Sequence, residues 1–369
     1  MIRHRLPASA IEFFEPGAAG APVVLDARSP RRALSRQPQA TRHRSGLARA
    51  ALLAVLLGAV IYAGLTAWAG WREVAECLTA FAWWTAAAAA ALAAANYLVR
   101  FVRWELYLRR LHIVVPRPRS FGIFLAGFAL TATPGKMGEV LKSYLLREAY
   151  AVPIATSAPI LIAERVSDLL ALLILSVIGF GEIRSSRPAL WAGAAFIALV
   201  MVAVSSETLC GMAAGMGARF PGVRRIVPKV HEFHRASRAL HRPEVLFATT
   251  VLSVVAWGCE CLAFWLVLRG FGATPSLKLS AVIYATATIA GALSFLPGGL
   301  GVQEGGMVAL LVASGRVIGR PAALAATFVT RLTTLWFAVA LGVGALLWIR
   351  QRIGSIVLDD MATHVGNRP

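Results

Sequence analysis

Long apolar runs alternate with short basic segments along most of this chain. Six of the runs are long enough to cross the hydrocarbon core of a bilayer as helices, which takes about 20 residues. These runs cover residues 51–70, 77–99, 157–181, 188–206, 245–268 and 321–349. The pattern therefore predicts an all-α polytopic membrane protein, with about six full transmembrane helices in one transmembrane domain over residues 48–350.

Two further apolar stretches are shorter and end at glycine-containing breaks. They are residues 121–133 before Pro134-Gly135, with a second helical stretch over 139–150, and residues 281–296 before Pro297-Gly298-Gly299, with a second stretch over 304–314. As a helix the first stretch reaches only about 20 Å, short of a core of roughly 30 Å. Because non-helical backbone at membrane depth is tolerated only against protein or water, we predict two re-entrant helical hairpins.

The same pattern follows both breaks in the same order. Glycines come first, then a carboxylate, an amphipathic stretch and a span with one arginine. The residues are Gly135, Gly138, Glu139 and Arg165 in the first copy, and Gly298, Gly299, Gly301, Glu304 and Arg331 in the second. Three predicted spans separate the hairpins, so the second copy is inverted relative to the first. Inverted repeats are typical of transporters that bind substrate near the midplane, although chance recurrence of Pro-Gly breaks is the alternative.

Composition and charge agree with a membrane protein. Hydrophobic residues make up 58% of the 369-residue chain, and only 15% are charged, against roughly 25% in typical soluble proteins. The 37 Lys and Arg against 18 Asp and Glu give a formal net charge of +19. Since these basic residues lie mainly between apolar runs, they indicate contact with an anionic membrane surface and not with nucleic acid.

The distribution of basic residues also predicts an orientation. Residues 1–47 are rich in Arg, Pro, Ser and Ala, which is typical of a disordered basic cytoplasmic tail. Most other Lys and Arg lie in residues 100–119, 136–147 and 207–243. These segments share this side if both termini are cytoplasmic, as does the short C-terminal tail 351–369. The first hairpin then enters from the cytoplasm and the second from outside. We expect a multi-pass protein of the cell membrane.

Charged side chains within the apolar runs mark a candidate site, because burying them in a bilayer costs several kcal/mol. On a helix Glu164 and Asp168 share one face, and Arg165 meets Asp168 at i,i+3. One interpretation is a structural ion pair between Arg165 and Asp168. The other is that Arg165 and Arg331 bind an anionic headgroup, because guanidinium groups match phosphate in two parallel hydrogen bonds.

The residues at the two breaks extend this hypothesis. Glycines let the backbone adopt positive φ or approach a ligand closely, and backbone N–H groups at helix N-termini favour anions. Simple helix breaking is the alternative role of these glycines. Glu139 and Glu304 follow the breaks directly and could pair with the arginines in an empty state or take up protons.

At these residues the chain resembles the lysylphosphatidylglycerol synthase transmembrane family, also called flippase-like membrane proteins. The motifs that carry the resemblance are Thr133-Pro-Gly-Lys-Met-Gly-Glu139, Glu164-Arg-Val-Ser-Asp168, Leu296-Pro-Gly-Gly-Leu-Gly-Val-Gln-Glu304 and Arg331-Leu-Thr-Thr334. The resemblance covers residues 50–350 and implies translocation of phospholipids or aminoacylated lipids. Some members carry a fused aminoacyl-transferase domain. The short tail after the last span resembles stand-alone members, and a lipid-synthesising enzyme encoded separately is then an expected partner.

The sequence favours a lipid translocator over two alternatives. A secondary carrier for a small anion or polar solute has the same inverted repeat and buried charge. A membrane-embedded lipid-modifying transferase needs a catalytic set, and the chain has no Asp-x-Asp pair, zinc motif or Ser/His/Asp arrangement in the predicted membrane domain. No GxxxxGK[ST] motif for ATP occurs either. We therefore expect a non-enzymatic protein without metal or cofactor, whose partner is a phospholipid or lipid-linked anion.

Overall fold

The computed structural model of the protein describes residues 70–131, 137–178, 187–206, 227–294, 296–315 and 318–349, with isolated positions before and after them. These residues are mainly helical and none of them forms a strand, which confirms the all-α class. The predicted tail 1–47, Pro134-Gly135, and nearly all of the predicted tail 351–369 and of the first predicted span lie outside the described residues.

The helices of the described part are numbered in chain order. They are α1 Trp71–Thr79, α2 Trp83–Arg110, α3 Arg117–Ala126, α4 Met137–Tyr150, α5 Ile154–Ser157, α6 Pro159–Ile178, α7 Arg187–Ser205, α8 Val227–Leu240, α9 Pro243–Gly270, α10 Leu277–Leu293, α11 Val302–Ala313 and α12 Arg320–Ile349. A 3₁₀ turn over Gly127–Leu130 continues α3, and another over Pro297–Gly299 precedes α11. A π-helical turn over Leu332–Trp336 lies within α12.

Three helices of the described part are long and apolar enough to cross a membrane by length and composition. They are α2, α9 and α12, which correspond to the second, fifth and sixth predicted spans. The third and fourth predicted spans form α6 and α7, of 20 and 19 residues. Within α6, Glu164, Arg165 and Asp168 lie close together in an otherwise apolar helix.

The bounds of the second predicted span, 77–99, are wrong at both ends. The chain breaks after α1, where the N–H of Ala82 donates to the carbonyl of Gly270 at 3.0 Å, and α2 begins at Trp83. The helix then continues to Arg110, so Arg100 and Arg103 lie within it and not in a cytoplasmic loop. Arg103 is only 1% exposed because it is bonded to a carboxylate on α6, as described below.

The two longest straight helices, α2 and α9, pack antiparallel against each other along the centre of the bundle. Asn96 bonds to Glu260 and Arg103 bonds to Ser253, so the contacts run in opposite directions along the two helices. Each helix has 28 residues. Each is also followed by a pair of helices and then by a helix that carries a buried arginine or aspartate, although the short helix α5 precedes that helix in the first half only.

Each half contains a helical hairpin. Hairpin 1 consists of α3, its 3₁₀ turn and α4, and hairpin 2 consists of α10 and α11, which pack against each other. At the tip of hairpin 2, Gly298 and Gly299 have φ of 58° and 68°, a region that favours glycine. A Cβ at Gly299 would lie 3.2 Å from the Cα of Gly291. The tip therefore folds back closely on α10 and requires glycine.

Candidate anion-binding cavity

A cavity of about 160 Å³ lies at the centre of the bundle, between hairpin 1, hairpin 2 and the helices α2, α6, α9 and α12. Its wall includes Gly298 and Gly299 at the tip of hairpin 2, and Gly127 and Phe128 from the 3₁₀ turn of hairpin 1. One water needs roughly 10–15 Å³ of such space. The cavity therefore has room for several waters or for a small polar group.

The charged side chains of the cavity wall are mostly cationic. Among the described residues, four cationic groups and two carboxylates line it, namely Arg100, Lys142, Arg165 and Arg331 against Glu164 and Glu260. The cations come from four different helices, since α2, α4, α6 and α12 each contribute one. Charge–charge interactions are much stronger at low dielectric than in water, so this wall is a candidate site for an anion.

Arg331 on α12 connects that helix to the tip of hairpin 2. Its Nε donates to Glu304 Oε1 at 2.6 Å, its Nη1 to Gln303 Oε1 at 3.0 Å and its Nη2 to the carbonyl of Gly298 at 2.7 Å. Glu304 Oε2 in turn accepts from the N–H of Gly301, at the start of α11, at 2.7 Å. Arg331 thus fixes both sides of the break while part of it faces the cavity.

The helix that carries Arg331 widens immediately after it. Residues Leu332–Trp336 form a π-helical turn, a distortion often found at functional sites. The Tyr97 hydroxyl of α2 donates to the carbonyl of Thr334 in this turn at 2.7 Å. Both residues line the cavity, so the π turn presents backbone oxygen to the cavity side of the helix.

Lys142 holds hairpin 1 against α6. Its Nζ donates to Glu164 Oε2 at 2.6 Å, and both side chains are buried. The same ammonium lies 4.7 Å from the ring centroid of Trp104 and 5.7 Å from that of Phe124, distances at which cation–π attraction contributes. The sequence analysis selected Glu164 but not this lysine.

Asp168 is the anchor of a second group of charges behind the cavity. Its carboxylate accepts from Arg100 Nη2 at 2.9 Å and from Arg103 Nη1 at 2.5 Å. Trp257 Nε1 of α9 donates to the same carboxylate at 3.0 Å. These bonds join α2, α6 and α9, and they leave Arg100 at the cavity wall.

Glu260 on α9 differs from these carboxylates in its partners. Asn96 Nδ2 donates to Glu260 Oε1 at 2.5 Å, and the Tyr284 hydroxyl donates to Glu260 Oε2 at 2.7 Å. Both partners are neutral. The side chain is 4% exposed and lines the cavity.

The predicted site residues fall into three groups. Arg165, Arg331, Glu164, Gly298 and Gly299 line one cavity. Asp168, Glu304 and Gly301 are adjacent to it, where the two carboxylates bond its cations and Gly301 begins α11. Gly135 lies outside the described residues, and so does the side chain of Glu139, although α4 includes Gly138 and Glu139 in its backbone.

Several cavity residues were missed by the sequence analysis. Arg100 was assigned to a cytoplasmic loop, because the apolar run ends there, and Lys142 was counted only as a basic residue of hairpin 1. Glu260 lies within the fifth predicted span but was not among the predicted site residues. A signal for Lys142 was its place on the helix that follows the first break, beside the apolar Val140 and Leu141.

Comparisons with known proteins place the chain in a family of membrane proteins. The family described as the lysylphosphatidylglycerol synthase TM region matches residues 55–342. Two UPF0104 membrane proteins of Methanothermobacter thermautotrophicus are 27% identical over 70% of this chain and 84% of the relative, and 23% identical over 83% and 95%. One from Pyrococcus horikoshii is 24% identical over 67% and 82%. The matched range contains both hairpins and every described charge of the cavity, so the chain belongs to the lysylphosphatidylglycerol synthase transmembrane-region family.

Proposed function

We propose that this protein moves a phospholipid or another lipid-linked anion between the leaflets of the cell membrane, and that the headgroup occupies the central cavity during the transfer. The observation that carries the proposal is the convergence of Arg100, Lys142, Arg165 and Arg331 on one cavity between two hairpins. A phosphate diester supplies the negative charge that this wall attracts. The acyl chains of such a lipid can remain in the bilayer while the headgroup is in the cavity, whereas a free solute has no acyl chains to accommodate.

The arrangement of the two halves supports a translocator with inverted repeats. The helices α2 and α9 pack antiparallel, and each is followed in the chain by a hairpin and a helix with buried charge, which is the relation expected if the hairpins enter from opposite sides. Transporters of this architecture place substrate between broken helices near the midplane. In the proposed topology both hairpins are re-entrant and both termini are cytoplasmic.

The bonds of Arg331 suggest how a headgroup changes the conformation. In the structure this guanidinium is bonded to Glu304, Gln303 and the tip carbonyl of Gly298. A phosphate in the cavity competes with the carbonyl and the amide for the two terminal nitrogens. Binding of the headgroup therefore weakens the attachment of hairpin 2 to α12 and lets the tip move. Arg165 has the equivalent place relative to hairpin 1 in the sequence repeat.

Reconstitution into liposomes tests the proposal. Purified protein is expected to move fluorescent phosphatidylglycerol between leaflets, measured as the fraction protected from dithionite. Arg165→Ala and Arg331→Ala should each slow this movement by about 10- to 100-fold, since hydrogen bonds to charged groups contribute about 1.5–3 kcal/mol. Arg269→Ala is the matched control, because Arg269 is exposed at the end of α9 and stacks on Trp265.

Two results would contradict the proposal. One is a wild-type protein that moves no lipid while it takes up a radiolabelled anion such as phosphate, which would favour the solute carrier. The other is unchanged lipid movement in both arginine variants, provided that gel filtration shows them to be folded. Normal movement in Arg269→Ala is required for the comparison with the two arginine variants.

A further inference from the structure

Among the buried carboxylates of the described residues, Glu260 is distinguished by its neutral partners. The other three each bond a cation, Glu164 to Lys142 at 2.6 Å, Asp168 to Arg103 at 2.5 Å and Glu304 to Arg331 at 2.6 Å. The amide of Asn96 and the hydroxyl of Tyr284 bond Glu260 instead. Protonating an ion-paired carboxylate sacrifices the pair, whereas protonating Glu260 sacrifices no ion pair.

The partners of Glu260 suit both states of its carboxyl group. Asn96 donates through Nδ2, and its Oδ1 is buried with no hydrogen-bond partner in the described part of the chain. If the amide turns over, this oxygen accepts a hydrogen bond from a protonated Glu260. An amide can thus serve as donor to the carboxylate or acceptor from the acid, which an ammonium or guanidinium cannot.

Charges on the surrounding helices link the proton to an anion in the cavity. The titratable and charged groups that face Glu260, line its cavity or bond a cation of its wall come from six packed elements. They are Tyr97 and Arg100 of α2, Lys142 of α4, Glu164, Arg165 and Asp168 of α6, Tyr284 of α10, Glu304 of α11, and Arg331 of α12. On α9 itself Cys259 and Cys261 are adjacent. The cationic majority opposes protonation while the cavity is empty. A bound phosphate cancels part of that field, so Glu260 takes up a proton more readily when an anion is present.

We propose that Glu260 is the proton-binding site of a proton–lipid symport, in which one proton enters the cavity with each anionic headgroup. This rests on the proposed function of the cavity. A hydronium ion on one side of the membrane gives its proton to the Glu260 carboxylate and leaves water. After the cavity opens to the other side, the proton passes from Glu260 to water there. The loaded cavity gains one positive and one negative charge, so transport is electroneutral.

The position of Glu260 fits a site reached from both sides. It has the same place in α9 that Arg100 has in α2, since both are the eighteenth residue of a 28-residue helix. Both line the cavity. The two antiparallel helices therefore place an acidic residue and a basic residue at equivalent positions near the centre of the bundle. Alternating access requires the coupling site to lie there.

Binding measurements test the linkage without any transport. Titration calorimetry with dihexanoyl-phosphatidylglycerol at pH 6.5, in two buffers of different ionisation enthalpy, gives the number of protons taken up per lipid bound. The wild type and Glu244→Gln should take up a fraction of a proton, and Glu260→Gln should take up none. Glu244→Gln is the matched control, because it neutralises an exposed carboxylate at the start of the same helix, outside the cavity wall. Glu260→Asp keeps a titratable group and should keep the uptake.

Proteoliposomes test the coupling itself. With one proton per lipid, a gradient of one pH unit should shift the distribution of phosphatidylglycerol up to about tenfold towards the alkaline leaflet. An imposed membrane potential should leave the distribution unchanged. Glu260→Gln should give an even distribution.

The possible failures are distinguishable. If the wild type moves phosphatidylglycerol but the pH gradient leaves the leaflets even, the symport is wrong and the translocator stands. If no lipid moves at any pH, the proposed function is wrong. Equal proton uptake by Glu260→Gln and the wild type in calorimetry would remove Glu260 as the proton site in either case.

Discussion

The buried pair between Lys142 and Glu164 should contribute measurably to the stability of the bundle. Lys142→Met removes the cation that bonds Glu164 at 2.6 Å but keeps an apolar chain of similar length against Trp104 and Phe124. Glu164 is 3% exposed, and no other bond to its carboxylate is seen among the described residues. Breaking a buried pair from one side costs about 3–5 kcal/mol, because a buried charge is left without compensation.

A double-mutant cycle with Glu164→Gln distinguishes the ion pair from simple packing. Adding Glu164→Gln removes the remaining charge, and replacement of a whole buried pair by neutral groups is often nearly neutral. The double variant should therefore recover about 2–3 kcal/mol of the loss. In melting temperature, Lys142→Met should unfold on the order of 10 °C lower than the wild type, at roughly 2–4 °C per kcal/mol.

Thermal unfolding in detergent, followed by tryptophan fluorescence, measures all four members of the cycle. Lys278→Met, at an exposed position near the start of α10, is the control for loss of a lysine charge. If the double variant is as unstable as the sum of the single variants, the two residues do not interact energetically. Hairpin 1 would then be held to α6 by packing alone.

Two further predictions concern packing and pH. Gly342→Ala should lower stability by about 1–3 kcal/mol, because a Cβ at Gly342 would lie 2.2 Å from the backbone nitrogen of Ala129; Gly344→Ala, which meets nothing within 4 Å, should stabilise slightly, and equal melting temperatures would contradict the close approach. Burial lowers the pKa of His241, which bonds the carbonyl of Ser237 at 2.8 Å. The unfolded chain therefore binds a proton at His241 more readily than the folded chain does. The stabilising effect of neutral His241 is complete above about pH 6.5 and is lost on acidification. Melting curves at pH 8 and 5.5 should show a smaller loss for His241→Asn than for the wild type, and an equal loss would refute this role.

The sequence was sufficient to predict the broad fold and part of the cavity. The apolar runs predict the long helices. The glycines predict the break at the tip of hairpin 2, where Gly298, Gly299 and Gly301 have positive φ. Arg165 and Arg331 were predictable because an isolated charge in an apolar run must face protein or water. Their common cavity followed from the order of the repeat.

What the sequence left undetermined depends on contacts between distant helices. Arg100 and Arg103 look like the basic end of a span, and only Asp168, packed against them from α6, explains why the helix continues past both. Likewise, nothing adjacent to Lys142 in the chain identifies Glu164 as its partner. The neutral partners of Glu260 come from α2 and α10, so its distinct chemistry is also a property of the packed bundle.

The presence of a lipid headgroup in the cavity is tested most directly by chemical protection. In a cysteine-free background, Ala292→Cys places a thiol on the cavity wall, and its modification by a methanethiosulfonate reagent is timed in detergent. Dihexanoyl-phosphatidylglycerol should slow the reaction several-fold, whereas dihexanoylglycerol, which lacks the phosphate, should not. A thiol at exposed Val114, in the loop before α3, should react equally fast in all cases. Equal rates at position 292 with both lipids would contradict a headgroup site between the hairpins.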